Sequence, residues 1–278
     1  MAASASAGLT GVYTRFQFCP WMNPEVERCA YAVTEGGEVV LGSKKVPIVN
    51  PVTLQGGYSE PATEGPEAGF SKFFGATNGV TLSKAAQPVP GGLLGLVPPE
   101  SSPPLVKAVV ELAVKNGLTG VNSTLELARP ASEIRINETA LAEGQGVTLI
   151  LPLKAHLENP VLGSSCYVGS SAAPIIWELR TDATNPPEPN ESISGNAGSI
   201  HFLDGGFIVE VQDAVLVDNA WAAPAASGCG GLLSSLMDPV INAIAGLPAT
   251  AGHNTAILEN TISETTTFAV DKNDKANP

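Results

Sequence analysis

Three histidines, a run of carboxylates and four cysteines are the side chains that a catalytic or metal-binding reading would have to use. His156 stands in KAHLEN before Glu158, His201 in IHFLDGG near Asp204, and His253 in AGHNT. No two are four residues apart, so no helical turn offers a histidine pair to zinc; a three-histidine site would need convergence in space. The expectation is a strand or loop histidine with a local hydrogen bond in each case. Asp204, Glu210, Asp213 and Asp218 lie in and before EVQDAVLVDN. Glu210 and Asp218 on one sheet would be the pair for glycoside cleavage. Their alternation also describes a solvated strand face, which is the expected reading. GSSCYVGSS at Gly163–Ser171 is not the G-x-S-x-G elbow and reads as a turn holding Cys166 beside a strand. The glycine loops that cradle nucleotide phosphates are absent from the sequence. No motif commits the chain to a reaction: no catalytic, cofactor-binding or metal residue is assigned, no cofactor is expected, and a non-enzymatic role is favoured.

The cysteines are the one set with a clear architectural use. Cys19 and Cys29 bracket CPWMNPEVERC, while Cys166 and Cys229 stand far apart. Four cysteines allow three pairings that sequence alone does not separate. Cys19–Cys29 with Cys166–Cys229 is preferred because Pro20 and Pro24 narrow the conformations of the first loop. Zinc would more naturally show two close ligand pairs. Disulfides place the chain in an oxidising compartment, so the expectation is a secreted or cell-surface protein. MAASASAG lacks the basic and apolar regions of a signal peptide and reads as what remains beyond a cleavage site, with an initiating Met added.

Charge narrows the partners. Lys and Arg total 14 against 27 acids, a net charge of -13, and no Lys or Arg occurs between Arg180 and Lys272. Nucleic acid and anionic surfaces would be repelled. The tail DKNDKANP has some calcium-loop character but lacks the Gly and final Glu of an EF-hand, and reads as a frayed polar terminus. No stretch has the length of a transmembrane helix. At 44% hydrophobic residues and 278 residues in all, the chain has ample apolar surface for a core.

The elements that must position these side chains are mostly strands. VYTRFQF (12–18) alternates as a half-buried strand should, and Cys29–Thr34 continues after the cysteine loop, so the first disulfide is expected to brace a hairpin. Glu35–Glu38 reads as a turn into Val39–Gly42. Val46–Val49 and Val52–Leu54 are pushed toward a sheet edge by Pro47 and Pro51. Gln55–Pro104 is rich in Gly and Pro and reads as loops, with Phe70, Phe73 and Phe74 as a local mini-core. A helix is expected over Leu105–Asn116, capped from Ser101 and Ser102, ended by Gly117, with Leu105, Val109, Leu112 and Ala113 on the buried side. Strands follow at Asn122–Ala128, Gly146–Leu157, Ile175–Thr181, Ser199–Leu203 and Gly206–Val217. A second helix is expected around Leu236–Gly246, and Ala256–Val270 reads as a terminal strand or hairpin. The predicted fold is mainly β, an antiparallel sandwich or barrel-like domain with one or two helical insertions and two disulfides. The prediction is one compact unit over 1–278, with any internal boundary inside 55–104.

LENPVLGSSCYVGSS, the PPEPN loop, DNAWAAPAASGCGG and GHNTAILEN resemble uncharacterised secreted proteins of actinobacterial type, from about Gly91 onward. The resemblance implies export and brings no activity. The sequons at Asn122, Asn137 and Asn190 carry weight only in a host that uses that code. The leading functional expectation is an extracellular structural or interaction protein, self-assembling through the strand edges of VYTRFQF or ETTTFAV or binding a protein partner. A secreted carrier of a hydrophobic small molecule or lipid comes second, and an exported hydrolase third. An enclosed apolar cavity would favour the carrier, an open strand edge the assembler.

Overall fold

A computed structural model describes residues 8–92 and 103–276. Fourteen strands form one antiparallel sheet system. They are β1 (Arg28–Leu41), β2 (Lys44–Pro47), β3 (Val52–Pro61), β4 (Ser71–Gly75), β5 (Gln87–Pro88), β6 (Asn122–Leu127) and β7 (Arg135–Ile136), followed by β8 (Val147–Glu158), β9 (Tyr167–Val168), β10 (Ile175–Arg180), β11 (Ser199–Leu203), β12 (Ile208–Asp218), β13 (Ala226–Ser227) and β14 (Thr255–Thr266). The helices are α1 (Pro104–Lys115), α2 (Glu138–Glu143), α3 (Ser234–Ala245) and α4 (Thr267–Ala276). Cys19 pairs with Cys29, and Cys166 with Cys229.

Eight of the strands close on themselves in the order β8, β10, β12, β14, β1, β3, β4, β7 and back to β8. Closure removes most sheet edges, and at eight strands the interior is just wide enough to be filled by side chains or to hold one small ligand. Two bulges bend the wall. The pairing of β1 with β14 shifts between Thr34 and Gly36, and that of β12 with β14 shifts between Val211 and Ala214, where Asp213 has φ of 58°. Both lie at the level of Asn260, whose side chain accepts from Thr34 Oγ1 at 2.7 Å and donates to the Leu258 carbonyl at 2.8 Å. An extra residue in each neighbour of β14 at one height increases bending and twist there.

The main core fills the barrel and the space under α3, and Cys166–Cys229 lies in it. A second, smaller core sits on the outer wall of β1, β12 and β14. It joins Tyr13, Phe16, Cys19, Val26 and Cys29 to Ile208 and to Ala269 and Val270 of α4. Glycine at 57 makes room for this core on β3, since a Cβ there would lie 3.2 Å from Cys19 Sγ.

Several sequence-based expectations are corrected here. VYTRFQF is not a strand: Gly11–Phe16 is a 3-10 helix with Tyr13 and Phe16 buried three residues apart. That spacing puts both rings on one side of a helix with three residues per turn. Cys19–Cys29 therefore ties this helical segment to β1 and does not brace a hairpin. Gly36-Gly37 is part of the β1 bulge, not a turn, and β3 is paired on both sides despite Pro51. The segment from Gln55, expected as loops, contains most of β3 together with β4 and β5. Phe73 is fully buried in the main core while Phe74 packs on the outer one. Strands from both sides of 55–104 share the sheet system. Residues 93–102 of that span, with the expected caps Ser101 and Ser102, lie outside the described residues, as does MAASASA.

Helix α1 forms where expected and is followed by Gly117, with φ of 69°, but two of the residues expected on its buried side are not buried. Val110 is buried, whereas Leu105 and Leu112 are exposed. ETTTFAV divides between β14, which is paired on both sides, and α4, which continues into the expected frayed tail. Burial of Ala269 and Val270 holds that helix down, and Asn273 Oδ1 accepts from the Thr10 amide at 3.0 Å.

Candidate ligand-binding cavity

Strand pairing lays out the barrel interior row by row, because directly opposed residues share a face. One row runs Phe202, Val209, Glu264, Ala30 and Gly56 across β11, β12, β14, β1 and β3. The next runs Ile200, Val211, Ile262, Ala32 and Leu54. On β3 the space beside Gly56 is taken by the Phe73 ring, which a Cβ there would meet at 2.6 Å, and on β1 small residues alternate along the inner side, as Ala30, Ala32 and Thr34. They leave a cavity of about 90 Å³, bounded also by Leu149, Leu151 and Trp177. For scale, an engineered apolar cavity of about 150 Å³ admits benzene. This one suits a few carbon atoms or the end of a chain.

A polar cluster forms part of the cavity wall. Tyr58, Glu138 and Glu264 line it. The Tyr58 hydroxyl donates to Glu264 Oε2 at 2.6 Å, and Arg28 Nε lies 3.3 Å from Glu138 Oε1 and its Nη1 3.8 Å from Glu264 Oε1. Asn137 positions Glu138 by capping α2: its Oδ1 accepts from the Ala140 amide at 2.9 Å. Burial, reinforced by the Glu138 charge, raises the Glu264 pKa, and the Tyr58 hydrogen bond and Arg28 only partly offset this. Burial and the same two carboxylates hold the Tyr58 phenol well above its ordinary value. An apolar space with a few polar groups of shifted pKa is the ordinary form of a small-molecule site.

The wall is weakest beside β11. This strand pairs only with β12 among the described strands, and β12 meets β10 only at Val217, opposite Arg180. Ile200 and Phe202, from the inward-facing rows, consequently reach solvent at 50% and 70% exposure. Helix α2 contributes Leu141 to the cavity, and a Cβ on Gly144 at its C-cap would lie 3.4 Å from Ala197, just before β11. An apolar lip thus continues the cavity's own rows outward.

The residues with catalytic potential are not brought together. His156 stacks on Tyr167 with centroids 4.4 Å apart and its Nδ1 3.5 Å from Glu158 Oε1. His201 stands opposite Glu210 on the outer wall, and His253 Nδ1 lies 3.4 Å from Thr250 Oγ1. Among the described residues no cluster of histidine, cysteine and carboxylates could hold a metal. Glu210 and Asp218 lie eight residues apart on one strand, roughly 26 Å, against roughly 5–10 Å for a glycosidase pair. Nor are they a solvated face: both are buried. Glu210 accepts from Arg15, which also donates to Ser263 Oγ at 2.9 Å, and Asp218 accepts from the Glu178 and Ala220 amides at 2.8 and 2.9 Å. Asp204 accepts from the Tyr13 hydroxyl at 2.7 Å, so burial and then this carboxylate push the Tyr13 pKa up to about 12. The cavity cluster of Arg28, Tyr58, Glu138 and Glu264 escaped sequence reading. Its available signal was the run of small residues at every second position of β1. No family model, curated protein or solved structure matches the chain.

Proposed function

We propose that this is an exported binding protein that holds a small apolar molecule, or the apolar end of a larger one, inside its barrel. The observation that carries this reading is the cavity between the small inner residues of β1 and the leucines of β8, with a lip of exposed Ile200 and Phe202. Export is supported by the two disulfides, both buried. The guest's polar end, where it has one, faces the Arg28, Glu138 and Glu264 group. Titration with cyclopentane, followed through the methyl resonances of the lining leucines, tests the reading. Saturable shifts are expected in the native protein, and Ala32→Ile, which adds three carbons to the cavity, should abolish them while retaining the fold. Absence of any saturable shift in the native protein would remove the carrier.

The edge of β11 supports a second reading, association through strand pairing, because exposed Ile200 and Phe202 lie on an edge strand. Sedimentation over a hundredfold concentration range tests it, and a strict monomer throughout counts against assembly.

A further inference from the structure

A second cavity, of about 80 Å³, lies between α3 and the sheet. Its floor is apolar and buried: Ala155, Leu162, Val168 and Ile241 are at most 5% exposed. Its lining contains one ionisable residue, Lys44 of β2. Strand alternation puts Lys44 and Val46 on one face of β2, and both line the cavity, while Lys45 between them points the other way and meets Glu38 at 2.6 Å. Lys44 is half-buried, yet its ammonium keeps accessible surface and makes no hydrogen bond or ion pair among the described residues. Its four-carbon stem thus lies along the apolar rim with the charged head at the mouth. A cation near a helix C-terminus gains from the dipole, but the last carbonyls of α3 are already met. The Ser43 amide donates to the Ala245 carbonyl at 2.9 Å and its hydroxyl to that of Ile244 at 2.8 Å. Ser123 adds to the same lining a hydroxyl that is likewise accessible and without a partner.

We propose that this cavity is a second binding site, distinct from the barrel interior, for an apolar monocarboxylate: the tail enters beneath α3 and the carboxylate pairs with Lys44 at the mouth. Charge selects the class. The barrel cavity is lined by Glu138 and Glu264, whereas no carboxylate lines this one, so its single unpaired ammonium has no internal partner to displace. An alkylammonium would be repelled by Lys44, and a hydrocarbon or neutral alcohol fills the apolar floor without using the charge. Anions richer in charge gain little, because one half-buried lysine supplies one contact and the chain as a whole carries -13. The volume suits the end of a chain, as in the barrel, so the tail is a short alkyl group or the tip of a longer one.

The test titrates hexanoate, hexanol and hexylammonium into the full chain and follows the methyl resonances of Val168 and Ile241, which line this cavity and not the barrel's. Hexanoate should give saturable shifts at both, hexanol weaker ones and hexylammonium none. Lys44→Met, which keeps the stem and removes the charge, should weaken hexanoate about three- to fivefold and leave hexanol nearly unchanged. Lys44→Glu should weaken hexanoate further, and about 0.5 M salt should shrink the advantage of hexanoate over hexanol in the native chain. Ala32→Ile, which fills the barrel cavity, should leave the hexanoate shifts at Val168 and Ile241 intact, so this site stands or falls apart from the barrel reading. No saturable shift at these methyls, equal losses for hexanoate and hexanol in Lys44→Met, or abolition of the hexanoate shifts by Ala32→Ile would each overturn the proposal.

Discussion

The barrel interior and the core on its outer wall share β1, β12 and β14, yet one retains a cavity and the other is filled. On the inner side β1 presents Ala30, Ala32 and Thr34. On the outer side the same strands meet Phe16, Tyr13 and Val270, brought by helices from the two ends of the described chain and buried to 1%, 5% and 0% exposure. Side-chain size at alternate positions thus decides on which side of one wall space remains. Packing of native density tolerates little loss of volume, so the two regions should respond oppositely to mutation.

The largest difference is expected from volume. Phe16→Ala should cost about 3–5 kcal/mol in denaturant unfolding. Ala32→Ile, placed in existing space, should stay within about 1.5 kcal/mol of the native protein. If Phe16→Ala proved as mild as Ala32→Ile, the outer core would be decoration. The disulfides give the next contrast, since each cluster contains one. With sequence separations of 63 and 10, loss of Cys166–Cys229 should cost about 4 kcal/mol and loss of Cys19–Cys29 about 3 kcal/mol. Double alanine variants unfolded without reductant measure this difference, and a reversed order would show that the outer core depends on its crosslink more than chain entropy requires.

The smallest effect, and the sharpest in sign, is in pH. Glu264 and Glu210 occupy adjacent levels of the wall on opposite faces. Burial raises the Glu264 pKa, so its contribution is most favourable below the ordinary glutamate value and is lost as pH rises through its folded pKa. Gln212 and Arg15 lower the Glu210 pKa, so its contribution is present above the ordinary value and is lost as pH falls through its folded pKa. From pH 4 to 7, Glu264→Gln should therefore gain stability relative to the native chain and Glu210→Gln should lose it. Parallel slopes for the two variants would contradict the opposite environments.

Strand content, the preference for Cys19–Cys29 and the stop of α1 at Gly117 were legible because each depends on local chemistry: β-branched runs, the restraint of Pro20 and Pro24, a left-handed glycine; Cys166–Cys229, 63 residues apart, followed only as the remaining pair. The barrel's closure was not, since it rests on β8 pairing with both β7 and β10, and no short window contains that information. VYTRFQF alternates like a strand but is claimed by tertiary contacts, Arg15 with Glu210 and Tyr13 with Asp204, about two hundred positions away. Amphipathicity located α1 and misplaced Leu105 and Leu112, because Leu112 and Val110 are comparable in hydrophobicity and only membership of the main core distinguishes them. The cavity cluster draws Arg28, Tyr58, Glu138 and Glu264 from four elements, so its only local trace was Ala30-Tyr31-Ala32, an ordinary half-buried strand by pattern.

The position of β14 has a kinetic consequence. It is the last of the described strands and lies between β1, the first of them, and β12. While the chain emerges from the ribosome in order, β1 and β12 have no partner between them until residues 255–266 appear, so the ring forms only once β14 has been made. Pairings of such long range fold slowly and leave strand edges open to other chains in the interval. A barrel with this connectivity closes in one late step, after the residues that carry all four cysteines have already been made.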